Sequence, residues 1–161
     1  IGIVGSEMCI RDRSLLLVFS GCSKDNDEQT LMINTFYQYP TSPHLGKTIA
    51  SPSLVVIYDY STAAKFDKDQ SRQSLKKMYR ITLPDRSTPA PLYSSFPNTS
   101  GIYTFDNVKN GRYMIFVYFS PDGEWIDYYG YKEISVNSKN SNSYDLILNR
   151  EGKYRYQFIA L

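Results

Sequence analysis

The run Arg112-Tyr-Met-Ile-Phe-Val-Tyr-Phe119 is apolar at every position after its first residue. It is far shorter than the roughly 20 residues a membrane-spanning helix needs, and it is rich in aromatic and β-branched residues, which suit strands. Side chains alternate along a strand. Tyr113, Ile115 and Val117 therefore line one face, and Met114, Phe116 and Tyr118 the other. A strand with two apolar faces needs a cover on each. A second sheet supplies one. The other must come from the irregular stretch 61–100 or the strand candidate 31–39, or the face is an interaction surface.

Similar short runs recur between turn signals. Leu31–Tyr39 ends at Pro40. Ser53–Tyr60 is apolar on both faces from Leu54 to Tyr58. Gly101–Phe105 alternates, with Tyr103 and Phe105 on one face. Asp106–Gly111 reads as a turn, with Val108 as an apolar plug and Asn110-Gly111 as the turn residues. Trp125–Tyr129 and Tyr131–Val136 flank Gly130, where a bulge or bend is expected. Tyr144–Leu148 points Tyr144, Leu146 and Leu148 inward, and Lys153–Phe158 closes the chain. These make about seven or eight strands, so the expected fold is all-β: an antiparallel sandwich with its core between two sheets. Within 61–100, Asp67–Tyr79 reads as one short helix, capped by Asp67 or Asp69, with Leu75, Met78 and Tyr79 on one face. Tyr79–Leu83 is an alternative edge strand.

The N-terminal part carries a different signal. Ser14-Leu-Leu-Leu-Val-Phe-Ser-Gly-Cys22 is an apolar run ending in small residues and a cysteine, and the charged segment Ser23–Glu28 follows at once. That order resembles a bacterial lipoprotein signal. The resemblance implies cleavage before Cys22 and lipid on its sulfur and amine. Phe19 stands where such signals usually have Leu. Removing 1–21 leaves 140 of the 161 residues, enough for one domain at 31–161 behind a flexible tether at 22–30. The acidic run after Cys22 resembles the signal that sends Bacteroidetes-type lipoproteins to the outer face of the outer membrane. Residues 4–13 resemble a translated sequencing adapter, and 1–13 are set aside as an artefact, which leaves 14–21 as a truncated signal.

Gly101-x-Tyr103-x-Phe105-Asp106-Asn107-Val108-x-x-Gly111-x-Tyr113-x-Ile115-x-Val117 resembles the core hairpin of transthyretin-like sandwich domains, which include carboxypeptidase regulatory-like modules. The resemblance spans roughly residues 50–150. It implies a sandwich and leaves activity open.

Little in the sequence points to catalysis. The two cysteines are Cys9 and Cys22, so the body after Cys22 has no disulfide, and His44 is the one histidine. A His/Cys metal cluster is excluded, and no metal or cofactor is expected. Asp67-x-Asp69-x-Ser71 starts like a calcium loop but has Arg72 where glycine is needed. Net charge is +2 without a Lys/Arg cluster, so nucleic acid is not an expected partner. Trp125, Tyr128, Tyr129 and Tyr131 form an aromatic cluster that could stack on sugar rings, against the plainer reading of sheet packing. The leading expectation is a non-enzymatic, lipid-anchored surface protein, a structural or accessory binding module attached to the membrane through the lipid on Cys22, with a glycan or a surface protein as its partner. The alternative is a glycan-binding module using the Trp125–Tyr131 cluster. The least favoured is a hydrolase using Asp122, Glu124 or Asp127.

Overall fold

The computed structural model of the chain describes residues 27–38, 46–51, 53–120, 127–149 and 158–161. The elements run β1 (Glu28–Gln38), β2 (Thr48–Ile49), β3 (Ser53–Asp59), α1 (Tyr60–Ala63), α2 (Lys68–Met78), β4 (Tyr93–Asn98), β5 (Ile102–Lys109), β6 (Gly111–Phe119), β7 (Tyr128–Val136), β8 (Ser143–Asn149) and β9 (Phe158–Ala160). They form an all-β sandwich. In the first sheet β8 pairs along one edge of β1, and β5 and β2 share its other edge, β5 beside residues 28–34 and β2 beside Phe36 and Tyr37. The second sheet has the order β4-β3-β6-β7-β9. Pairing is mainly antiparallel. The β1–β8 and β7–β9 ladders are parallel, which alternation alone could not reveal.

The core lies where the sheets face each other. Leu31, Ile33, Tyr103, Phe105, Val108, Leu146 and Leu148 come from the first sheet, and Val55, Ile57, Tyr113, Ile115, Val117 and Ile134 from the second. Val108 is fully buried, as a plug should be. The stretch around it is not a hairpin turn, however. β5 continues to Lys109 and pairs with β1, whereas β6 pairs with β3 and β7. Asn110 alone joins them, so the chain passes from one sheet to the other. Tyr103 and Tyr113 thus reach the same core from opposite sides. The left-handed φ falls at Asn107 (58°) and not at Gly111, because asparagine tolerates that region. β1 also starts three residues before Leu31, since Glu28 and Gln29 pair through their backbones with Lys109 and Val108.

A buried polar network ties the sheets together. Thr35 Oγ1 of β1 donates to the Ala50 carbonyl at 3.0 Å and meets Ser53 Oγ of β3 at 2.8 Å. Ser53 Oγ meets the Tyr103 hydroxyl of β5 at 2.7 Å, and that hydroxyl donates to the Ser53 carbonyl. Hydroxyls so far from water need such partners.

The outer face of the second sheet is covered by the 61–100 segment. Leu54, Val56, Tyr58, Met114, Phe116 and Tyr129 pack there against Ala63, Leu75 and Ile81. Tyr58 pins this cover: its hydroxyl accepts from the Ile81 N–H at 3.1 Å and donates to the Pro89 carbonyl at 3.2 Å. Asp67 caps α2, accepting from the Gln70 N–H at 3.0 Å. The buried face of α2 is Ser71, Ser74 and Leu75, not Leu75 with Met78 and Tyr79, which are half exposed. The reason is polar. Ser71 Oγ accepts from the Thr82 N–H at 2.8 Å and donates to its carbonyl at 3.1 Å, while Ser74 bonds the Thr82 hydroxyl. Residues 79–83 are accordingly a connector held by α2 and not an edge strand.

Gly130 forms no bulge. The β6–β7 register runs unbroken from Gly111↔Val136 to Phe119↔Tyr128. What position 130 needs is the absence of a side chain: a Cβ there would stand 2.7 Å from Leu148 Cδ2 and 2.6 Å from Leu161 Cδ2. Gly130→Ala should stiffen the unfolded chain, a gain of about 0.5–1 kcal/mol, but overpack the core at a cost of about 1–3 kcal/mol. A lower urea midpoint with an unchanged slope is therefore expected.

Candidate functional site

The alternation of β7 divides the predicted aromatic cluster. Tyr128 is 3% exposed and faces the core between the sheets, with its ring 6.0 Å from Phe119 and 6.2 Å from Tyr37. Tyr129 is 2% exposed and faces the opposite way, 4.9 Å from the Tyr118 ring. Neighbours in a strand cannot share a face, so Tyr128 and Tyr129 do not form one exposed stacking surface. Trp125, Asp122, Glu124, His44 and Cys22 lie outside the described residues. Among the described members, Tyr129 touches one cleft on the outer face and Tyr131 lines another.

Asp127 anchors the base of β7. Its side chain is 2% exposed and accepts from Lys76 Nζ of α2 at 2.9 Å, the Tyr118 hydroxyl at 2.9 Å and the Tyr129 hydroxyl at 3.2 Å. Burial pushes its pKa up, but the hydrogen bonds from Lys76 and Tyr118 outweigh that and hold the carboxyl below its ordinary value. Burial and the adjacent carboxylate push Tyr118 up to about 12 and raise Tyr129 as well, so both phenols stay donors. A neighbouring cleft of about 290 Å³ has Arg72, Lys76 and Lys77 on its walls. Its floor carboxylate already binds Lys76, which makes this corner a clamp between α2 and the sheet.

The more distinctive cleft, of about 280 Å³, lies further along the same face, lined by Tyr60, Phe66, Met114 and Tyr131 with Lys68 and Glu133 at the rim. Each residue has a local reason to be there. Asp59 caps α1 by accepting from the Ser61 N–H at 2.9 Å, which turns the chain off the end of β3 at Tyr60. The short link between α1 and α2, closed by the Asp67 N–H to the Thr82 carbonyl at 2.8 Å, places Phe66 over the sheet. Phe66 meets Phe116 edge-on at 4.8 Å and Tyr131 at 4.9 Å. Tyr131 and Glu133 share the outward face of β7, and Met114 lies opposite Glu133 in the register. Arg112 Cζ sits 4.0 Å over the Tyr60 ring, and Arg112 donates Nε to Glu133 Oε1 at 2.9 Å. That hydrogen bond raises the Arg112 pKa. Lys68 Nζ lies 5.4 Å from the centre of the Tyr131 ring. Rings at the centre with a carboxylate and an ammonium at the rim, the carboxylate backed by the Arg112 guanidinium, can hold a ligand that has one apolar face and polar edges.

Tyr60, Phe66, Lys68, Arg112 and Glu133 were absent from the sequence-derived site. Tyr131 and Glu133 could have been linked by their spacing of two. Tyr60 and Phe66 flank a four-residue helix inside an irregular segment, so no periodicity marks them.

No protein-family model matches the chain, and no curated protein matches it. A crystal structure of a proposed carbohydrate-binding protein from Pseudomonas aeruginosa is similar to it, with a TM-score of 0.39 and 18% identity over 77% of this chain and 89% of that one.

Because the folded pKa of Asp127 is depressed, the unfolded chain binds more protons near pH 4. The stability this group contributes is complete above its unfolded pKa and is lost as pH falls through the folded value. Asp127→Asn should cost about 1–3 kcal/mol at pH 7, and urea titrations should show the gap from wild type narrowing below about pH 4.

Proposed function

We propose that the protein is a non-enzymatic, lipid-anchored accessory module that binds saccharide in the Tyr60–Phe66–Tyr131 cleft. The observation that carries this reading is the pairing of aromatic walls with a charged rim on one outer face. A pyranose ring has an apolar face of C–H groups and an edge of hydroxyls. The rings suit the face. At the rim, Glu133 can accept from hydroxyls, and Arg112 and Lys68 can donate to them. The Arg112–Glu133 pair also holds both side chains in place before a ligand arrives, which lowers the ordering cost of binding. This reading keeps Tyr131 from the sequence-derived cluster and replaces its buried neighbours with Tyr60 and Phe66.

Affinity electrophoresis against a panel of soluble neutral and acidic polysaccharides tests the reading. Retardation by at least one polymer is expected. Tyr60→Ala and Tyr131→Ala should each weaken it about tenfold, or about 1.4 kcal/mol, with circular dichroism confirming that the variants fold. Retardation by none of the panel, or retention of full binding by both variants, would count against the cleft.

The anchor half of the reading rests on the sequence around Cys22. Labelled palmitate should enter the exported protein, and Cys22→Ala should abolish incorporation and release the protein from the membrane fraction. Labelling that persists in the variant would remove the anchor.

A further inference from the structure

One cation on the lining of the cleft has no ion pair among the described residues, and it points to a class of ligand. Arg112 is matched by Glu133. Lys68 has no carboxylate partner among the described residues. Its neighbour Asp67 is committed to the α2 N-cap, and Asp69 belongs to the first helical turn. The Lys68 ammonium lies instead over the Tyr131 ring, 5.4 Å from its centre. Arg112 and Glu133 are paired with each other, so Lys68, which Asp67 and Asp69 flank in sequence, is the cation on the cleft lining without an ion pair among the described residues.

We propose that this cleft selects an acidic saccharide, one built from uronic acid residues, with Lys68 as the group that recognises the carboxylate. The inference rests on the saccharide reading above. An equatorial carboxylate on a pyranose lies roughly in the mean plane of the ring. When the sugar's face rests on the aromatic wall, that carboxylate projects sideways, within reach of the long, exposed Lys68 side chain, whose ammonium moves off the Tyr131 ring to meet it. A hydroxymethyl group in the same place would meet the ammonium only as a neutral acceptor. Charge-assisted hydrogen bonds are the stronger kind, but Lys68 is exposed, so the gain is that of a surface ion pair and is screened by salt. The cleft therefore takes neutral sugars too and ranks acidic ones above them.

The probe is a matched pair of polymers, polygalacturonate and alginate, each compared with its carboxyl-reduced form, which keeps the linkages and loses the charge. At low salt the acidic form should bind about fivefold more tightly than the reduced form, and the difference should shrink in 0.5 M salt. Lys68→Gln should erase the preference, whereas Lys77→Gln, an equal loss of charge elsewhere on α2, should keep it. Equal binding of the acidic and reduced forms would overturn the uronate inference and leave saccharide binding standing. A preference that survives Lys68→Gln, or falls equally in Lys77→Gln, would overturn the role of Lys68. Binding of neither form, with no neutral glycan bound, would overturn both readings.

Discussion

The two-sided burial of β6 is the constraint from which the rest of the architecture follows. Tyr113, Ile115, Val117 and Phe119 must leave water on one side, and Met114 and Phe116 on the other. At about 1.5–3 kcal/mol for each large apolar side chain buried, neither face can stay open. The first sheet closes one face. The 61–100 segment closes the other with few apolar residues, so polar contacts do much of the fastening: Tyr58 to Ile81 and Pro89, Ser71 and Ser74 to Thr82, Lys76 to Asp127. The second cover is small, with helices of four and eleven residues. It leaves the ends of β6 and β7 partly bare, and the aromatic cleft lies in that shortfall.

Two polar clusters fix how the layers sit on the central strands. On the inner side, Thr35, Ser53 and Tyr103 join β1, β3 and β5, so the sheets cannot slide without breaking buried hydrogen bonds. On the outer side, Asp127 gathers Lys76, Tyr118 and Tyr129, which locks the start of β7 to α2. Neither cluster lines the aromatic cleft. They set its geometry by holding β6, β7 and the two helices in one arrangement, and buried polar groups do this well because a half-satisfied network is so unfavourable.

Much of the sandwich was legible from periodicity. The inward rows Tyr103–Phe105, Tyr113–Ile115–Val117 and Leu146–Leu148 follow from a period of two, and the need for an outer cover follows from Met114, Phe116 and Tyr118. The partners of each strand were less legible. Tyr103 and Tyr113 look like two arms of a hairpin because they point at the same core, yet they belong to different sheets. Gly130 looks like a bend because glycine often marks one, yet what it provides is room for Leu148 and Leu161. The described members of the aromatic cluster divide for a related reason. Neighbours in sequence are not neighbours in space along a strand, and β7 sends Tyr128 and Tyr129 to opposite sides.

The sequence by itself determined that this chain would form a disulfide-free sandwich with one strand buried on both faces, because alternation and turn residues are local properties that act before any long-range contact forms. It also carries the cysteine signal on which the anchor proposal rests. Only the tertiary structure decided which rings would meet. Tyr60 and Phe66 come from one side of the second sheet and Tyr131, Glu133 and Arg112 from its central strands, and their convergence depends on pairing register and on how far a short cover reaches. Those are set by packing between residues distant in the chain, where the pattern of any single segment carries no information.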